Sequence, residues 1–371
     1  MSKHRICEVA DVRSEKVHII AEAGVNHNGD SELAFKLIEA AAKAGADSIK
    51  FQTFKAESLV GRHAPKASYQ IKQTGGQETQ WEMLKKLELG ENLHKKLMAH
   101  SGDCGIDFLS TPFDLKSLEF LMQELGLPRI KLPSGEITNA PLLLKAAWER
   151  KPIILSTGMS TLREIESALG VLAFGFSRMG ETPSQKNFQT AYSSEKGQSV
   201  LKELLTLLHC TTEYPAPLDS VNLLAMGTLQ SEFGLRVGYS DHTNGIAVPV
   251  AAVANGAQVI EKHFTLDRNF DGPDHQSSTE PEEFKYMVDC IRGVEQAMGS
   301  SEKVPVPVEI ENRKNVRKSL VAACDILKGE MFSEENITFK RPGEGLSPMY
   351  FWDVLGKEAS RSFSVDEPIS L

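Results

Sequence analysis

The sequence predicts an α/β fold: a closed parallel (β/α)8 barrel of the TIM type, followed by a small β-rich domain. Two observations carry the barrel. Eight short apolar runs recur along the first 300 residues or so, and each stops on a cluster of polar, chemically capable residues. Between the runs lie stretches such as SELAFKLIEAAAKAGA, whose apolar residues follow the three-and-four spacing of an amphipathic helix. Strands alternating with helices, with reactive groups at the carboxyl ends of the strands, are the pattern of such a barrel. A third observation, the change of texture beyond residue 299, carries the second domain.

The runs follow in order. VHIIAEAG (17–24) opens the series and leads into AGVNHNGD, a loop that Asp30 or Ser31 caps before the first helix. SIKFQTF (48–54) and IDFLSTP (106–112) come next, separated by the long connection GRHAPKASYQIKQTGGQETQ (61–80). That connection leaves the second strand at its carboxyl end, which suits a lid or a substrate-contacting loop. RIKLPSG (129–135), PIILSTG (152–158), LTLLHCTT (205–212), RVGYSDH (236–242) and QVIEKHF (258–264) complete the set. Ahead of the sixth run, SRMGETPSQKNFQTAYSSEKGQS (177–199) is polar and rich in Ser and Gln, and it reads as a surface loop without chemistry.

The barrel region is read as residues 1–299. SSEKVPVPVEIENRKN (300–315), polar and proline-bearing, reads as a linker. Residues 316–371 form the second domain, where SLVAACDI, NITFKRPG and SRSFSVDEPI are strand-like and KGE, PGEG and LGK mark turns. Fewer than ~60 residues make a marginal domain that needs something to pack on.

Composition narrows the function. Of 371 residues, 25 % are charged and 41 % hydrophobic, as in ordinary globular proteins, and the formal net charge of −9 with no basic stripe argues against nucleic-acid or membrane binding. The cysteines Cys7, Cys104, Cys210, Cys290 and Cys324 are odd in number and never form a C-x-x-C pair, so a reducing, cytoplasmic setting is expected. Cys210 reads as a small core residue, with no basic neighbour in sequence to activate it. The N-terminus lacks an apolar signal core, and no run approaches the ~20 residues of a membrane span.

Side-chain parity sorts the strand ends. Residues i and i+2 share a strand face, so Lys50 with Gln52, Ser240 with His242, and Glu261 with His263 point together toward the barrel mouth. Buried lysines are costly without partners, so Lys50 and Lys131, flanked by the hydroxyls of Thr111, Ser134 and Ser156, suggest a phosphate or carboxylate pocket. His242 and His263 end successive strands about 4.8 Å apart, close enough to share a divalent metal; Mn²⁺, Mg²⁺, Co²⁺ and Zn²⁺ all suit an open site without thiolates.

The motifs AEAGVNHNG, KFQTF, APKASYQ, LSTPFD, KLPSGEI, LSTGM, HCTTEYPAP, GYSDHT, IEKHFTLD, GPDH and KRPGEGLSP, in this order, resemble the sialic acid synthases, the bacterial nonulosonate synthases. The resemblance implies a TIM barrel followed by an antifreeze-like (SAF) domain, in a domain-swapped homodimer. It implies condensation of phosphoenolpyruvate with an open-chain N-acylated hexosamine, aided by a divalent metal, Mn²⁺ first and Mg²⁺ or Co²⁺ next. It puts Lys50, Thr111, Lys131, Ser134, Ser156 and Ser240 around phosphoenolpyruvate and makes His242 and His263 the metal ligands. Glu22, Gln52, Tyr214, Glu261 and Asp274 become sugar or catalytic contacts, with Glu22 handling the protons of the attacking water. Thr212 stands where some family members have Asn, with a shorter reach toward phosphate, and Arg341 resembles the arginine lent to the partner subunit's site to meet the N-acyl group.

N-acetylmannosamine, giving N-acetylneuraminate, is the first expectation for the sugar. The alternative is 2,4-diacetamido-2,4,6-trideoxymannose, giving legionaminate. A Schiff-base pyruvate aldolase built on Lys131, and an inert barrel carrying a carbohydrate-binding tail, are the readings from other classes. The hydroxyl-rich surroundings of Lys131 favour an ion-binding lysine over the first, and the lysine and histidine pairs at the strand ends count against the second.

Overall fold

The computed structural model describes residues 16–178 and 180–371, so Cys7 and the N-terminal segment lie outside the described residues. The chain divides into two compact units between Gly299 and Ser300. In the first, the eight apolar runs form eight parallel strands: β1 His18–Gly24, β2 Ser48–Thr53, β3 Asp107–Pro112, β4 Ile130–Leu132, β5 Ile153–Ser156, β6 Leu205–Cys210, β7 Arg236–Asp241 and β8 Val259–His263. Their order is β3-β2-β1-β8-β7-β6-β5-β4, and β3 and β4 lie side by side to complete the ring. The TIM-type barrel followed by a small β-containing unit is the architecture expected from the runs.

Alternation along the strands divides the barrel into two environments. One set of side chains, among them Ile19, Ala21, Ile49, Phe51, Leu155 and Tyr239, packs against the surrounding helices in the main core. The other set points inward. Ile20, Leu109, Ile154, Leu208 and Val259 form a separate apolar cluster in the barrel interior. Two residues further along the same strands stand Glu22, Thr111, Ser156, Cys210 and Glu261, so a polar layer rests directly on an apolar floor. Gly238 admits no side chain at floor level, since a Cβ there would lie 2.5 Å from Val259 O and 2.7 Å from Leu208 Cδ2.

Helix ends follow the local chemistry. The Asp30 carboxylate accepts the backbone N–H groups of Glu32 and Leu33 and so caps the helix Ser31–Lys43. Thr161 and Glu164 form a reciprocal box at the start of Leu162–Ser177. The 61–80 connection is partly helical, with Ser68–Thr74 inside it and Gln80–Lys86 directly after, and its only strongly buried cation, Lys66, binds Thr74 Oγ1 at 2.8 Å and Glu78 Oε1 at 3.3 Å.

One expectation needs correction and one segment gains detail. The 177–199 segment is not a bare loop: the helices Gln185–Tyr192 and Glu195–Leu204 occupy most of it and bury Phe188, Ala191 and Leu201 against the helix Leu162–Ser177. Gly197 permits the close join between them, because a Cβ there would fall 1.9 Å from Ala191 O. The 300–315 linker is likewise helical over Pro307–Val316, with no buried residue. Pro307 sits in the first turn, where its missing N–H costs nothing, and Glu309 reaches back to Val306 N at 3.1 Å.

The second unit pairs β9 Ser319–Ala322 with β10 Ile337–Lys340 in antiparallel register. Isolated bridges, Val321 to Pro368, Ile326 to Phe363 and Met331 to Glu358, extend this sparse β structure. Leu320, Ile326, Phe332, Ile337 and Phe363 form its core.

Candidate active site

The carboxyl ends of the strands enclose a cavity of about 320 Å³, a volume suited to small ligands. All the residues singled out in the barrel line it: Glu22, Lys50, Gln52, Thr111, Lys131, Ser134, Ser156, Thr212, Tyr214, Ser240, His242, Glu261, His263 and Asp274. Arg341 is elsewhere in the chain, exposed in the second unit just beyond β10.

Four charges alternate on the apolar floor. Glu22 Oε2 lies 2.5 Å from Lys50 Nζ, Lys50 Nζ lies 3.4 Å from Glu261 Oε2, and Glu261 Oε1 lies 3.6 Å from Lys131 Nζ. Hydroxyls complete the set: Lys50 donates to Thr111 Oγ1 at 3.0 Å, Lys131 to Ser156 Oγ at 2.7 Å, and Ser240 to Glu261 Oε1 at 2.8 Å. All four charged side chains are almost fully buried. Burial by itself raises a carboxyl pKa, and in Glu22 it wins, carrying that group well above the usual range against the pull of Lys50. For Glu261 burial is outweighed by Lys131 and Lys50, which hold it below the usual range. Burial also opposes the charge on Lys50, but Glu22 and Glu261 overcome it and raise that ammonium's pKa. Lys131 is lowered by burial, only partly offset by Glu261.

A second polar corner forms where β4, β5 and β6 end. Ser134 Oγ accepts Gly158 N–H at 2.9 Å and lies 3.2 Å from Cys210 Sγ. Gly158 is required by crowding, since a Cβ would sit 2.4 Å from Thr212 Oγ1 and 2.9 Å from Ser134 Oγ. Cys210 packs as a buried residue here, as expected, yet its thiol faces the cavity; burial pushes its pKa up and keeps it protonated.

The imidazoles stand at the ends of β7 and β8. His242 and His263 have ring centroids 5.5 Å apart, and Tyr214 covers both, at 4.3 Å from His242 and edge-on at 5.5 Å from His263. His242 Nδ1 donates to Thr211 O at 2.6 Å, which leaves its Nε2 as a lone-pair donor. His263 Nδ1 is buried with no hydrogen-bond partner. Burial lowers both histidine pKa values, His263 strongly, so both rings are neutral near pH 7. Two neutral imidazoles fit a borderline divalent ion that completes its shell with water or substrate oxygen. Among the described residues no cluster of three or more His, Cys, Asp or Glu is gathered for a metal, so a closed structural site is not present. Gly24, at φ +54°, leaves room beside this pair; a Cβ there would meet Glu22 Oε1 at 3.3 Å and His263 Cε1 at 3.6 Å.

Sequence reasoning missed several groups. Tyr69, Gln70 and Gln80 line the cavity, and Tyr69 packs on Tyr214 at 4.9 Å; the 61–80 connection pointed to them, but nothing in its sequence ranked them. Burial raises Asp274 to about 6 at the cavity edge. Behind the site, Lys262 Nζ lies 2.5 Å from Asp241 Oδ2 and 2.8 Å from Thr243 O, an outward-facing buried pair that ties the ends of β7 and β8 together. Its signal was parity, since Asp241 and Lys262 alternate with the inward groups.

Family models match the chain at residues 37–303, as the NeuB family, and at 317–371, as the SAF domain. The chain belongs to the NeuB family. This NeuB-family protein is 52 % identical over 355 residues to the N,N'-diacetyllegionaminic acid synthase of Campylobacter jejuni, covering 96 % of this chain and 99 % of that protein. It is 46 % identical to the protein of the same name from Legionella pneumophila, over 93 % of this chain and 91 % of that one. Among solved structures, the N-acetylneuraminic acid synthetase of Leptospira borgpetersenii, in complex with citrate, superposes with a TM-score of 0.65 at 33 % identity, covering 81 % of this chain and 93 % of that chain. Among the described residues no helix is long and apolar enough to cross a membrane.

Proposed function

We propose that this NeuB-family chain condenses phosphoenolpyruvate with 2,4-diacetamido-2,4,6-trideoxymannose, releasing phosphate and forming N,N'-diacetyllegionaminate. The observation that carries the choice of sugar is the pair of end-to-end relatives of that name at 52 % and 46 % identity. They favour the diacetamido sugar over the N-acetylmannosamine first expected.

The residues present support a definite course. Lys50 and Lys131, with Thr111, Ser134, Ser156 and Ser240, hold the phosphate and carboxylate of phosphoenolpyruvate by charge-assisted hydrogen bonds. A divalent ion held by His242 and His263, Mn²⁺ first and Mg²⁺ or Co²⁺ next, supplies Lewis-acid polarisation of the sugar aldehyde. Gln52, Tyr214 and Asp274 orient the sugar, and Tyr214 excludes water from beside the imidazoles. The methylene carbon of phosphoenolpyruvate then bonds to the aldehyde carbon, and water adds to the resulting cationic carbon. Glu22, whose raised pKa lets it both accept and return a proton near neutrality, takes one proton of the water and returns it to the former aldehyde oxygen, which becomes a hydroxyl, while the second water proton leaves with phosphate. Phosphate leaves by carbon–oxygen cleavage, its charge met by the two lysines.

The same reading makes the protein a cytoplasmic homodimer in which Arg341 serves the partner's barrel. The test measures phosphate release with both sugars, with and without divalent metal, using phosphoenolpyruvate labelled in its bridging oxygen. Label in phosphate and a preference for the diacetamido sugar are expected. Full activity after exhaustive chelation, retention of the label in the sugar acid, or trapping of pyruvate on Lys131 by borohydride would overturn the proposal.

A further inference from the structure

The cavity has a wall that the carbon–carbon bond-forming chemistry does not use. Val25, beyond β1, Leu59, Met83, Leu84 and Leu87, from the stretch after β2, and Phe113, beyond β3, form an apolar face on one side of its mouth. Val25, Met83 and Leu87 are buried and pack together with Phe54, while Leu59, Leu84 and Phe113 pack against them and stay partly open. Apart from Pro133, Met159 and Pro273, the rest of the lining is mostly charged, hydroxyl, imidazole or amide groups.

Height in the barrel decides what this wall meets. Phe113 follows Thr111 by two residues and Val25 follows Glu22 by three. Both lie just beyond the ends of their strands, so the wall stands at the mouth, outside the polar layer. An open-chain hexose whose C1 lies among Glu22, Gln52 and the imidazoles spans five bonds of about 1.5 Å, or about 6 Å when extended. Its far end therefore arrives at the wall. The amides of the 61–80 connection engage one another and their own backbone: Gln70 Oε1 accepts Ala67 N–H at 3.0 Å and Gln80 Nε2 at 3.5 Å, and Gln70 Nε2 donates to Tyr69 Oη at 3.3 Å.

Resting on the function proposed above, we infer that this wall is the subsite for the C6 methyl group of a 6-deoxy sugar, and that it selects such sugars over those ending in a hydroxymethyl group. A methyl leaves water for apolar neighbours at no polar cost. A hydroxyl at the same place gives up its water and finds no partner on Val25, Leu59, Leu84 or Phe113. Apolar pockets reject an added hydroxyl by about a hundredfold at most, which sets the scale of the selection.

The test uses the full-length protein with phosphoenolpyruvate and Mn²⁺, and compares kcat/KM for two sugars that differ only at C6: 2,4-diacetamido-2,4,6-trideoxymannose and 2,4-diacetamido-2,4-dideoxymannose. The expected preference for the 6-deoxy sugar is about 10- to 100-fold. Leu84→Asn, which makes the wall polar while keeping the number and branching of side-chain heavy atoms, should narrow that ratio by about tenfold, and Leu84→Met should keep it. Phe113→Tyr adds a hydroxyl at a partly open position and gives the same readout if Leu84→Asn fails to fold. Equal use of the two sugars by the unaltered protein, or an unchanged ratio in a folded polar variant, would overturn the assignment while leaving the proposed function standing. Failure to turn over either diacetamido sugar would instead remove the proposed function, and the subsite with it.

Discussion

Replacing Glu261 by Gln should make the protein less stable and better at holding phosphate. Glu261 is the only carboxylate within 4 Å of Lys131 among the described residues, and it also touches Lys50. After Glu261→Gln, Lys50 keeps Glu22 at 2.5 Å, but Lys131 retains only neutral partners, Ser156 Oγ at 2.7 Å and Leu132 O at 3.3 Å. Removing one member of a buried pair costs roughly 3–5 kcal/mol. Lys131 limits that loss, because burial already lowers its pKa and lets it shed its proton more easily than an exposed lysine. A net loss of about 2–4 kcal/mol at pH 7 is expected, read from urea unfolding followed by circular dichroism. Loss of one negative charge from the cavity should meanwhile tighten binding of phosphoenolpyruvate by tenfold or more, about 1.4 kcal/mol, read by calorimetry, so that the ligand restores much of the missing stability. A variant within about 0.5 kcal/mol of the parent and with unchanged anion affinity would show that Glu261 does not balance the lysines, and the argument from alternating charges would fail.

The remaining expectations concern metal, pH and assembly. His242→Ala and His263→Ala should each abolish saturable Mn²⁺ binding in equilibrium dialysis while leaving the far-ultraviolet spectrum unchanged; binding at the parent's affinity would remove that histidine from the ligand set. Burial holds His27 and His275 neutral with pKa values of about 4, so the unfolded chain takes up protons before the folded one does, and their stabilising contribution is complete above about pH 6.5 and lost as the pH falls toward 4. Each contributes at most about 3 kcal/mol, and His275→Gln should flatten the fall in unfolding free energy between pH 7 and 4.5; an unchanged slope would refute the assignment. Mixing Arg341→Ala with His242→Ala subunits should recover up to about a quarter of parental activity if Arg341 serves a partner's site, and none despite demonstrated exchange if it does not.

The barrel was legible because each strand advertises itself twice, by an apolar run and by the reactive residue that ends it. Lys50, Lys131, His242 and His263 were readable as a site because such residues are expensive within apolar runs. The 185–204 helices were not, because Phe188, Ala191 and Leu201 are too sparse among Ser, Gln and Lys to show a periodic face, and they become apolar contacts only against the helix Leu162–Ser177. Tyr69 and Gln70 escaped for a related reason: what brings them to the cavity is the folding of the 61–80 connection, held by Lys66, which no local pattern announces. The apolar wall was hidden in the same way, since Val25, Leu84 and Phe113 come from three separate connections and look like ordinary core residues one at a time.

Alternation within the strands also sets how this barrel can change. In β1, Ile19, Ala21 and Ala23 address the helices while Ile20 and Glu22 address the interior, and β8 repeats the arrangement with Val259, Glu261 and His263 facing in. A substitution at an inward position rewrites the reaction without disturbing how helix meets strand, whereas sliding a strand by one residue would exchange the two vocabularies at once. The apolar floor guards against that slip, because Ile20, Leu109, Ile154, Leu208 and Val259 fill the interior only in one register. On the proposed reading, changes in the outer connections alter the sugar accepted, whereas changes at inward positions alter the bond made, and neither disturbs the register that the floor holds.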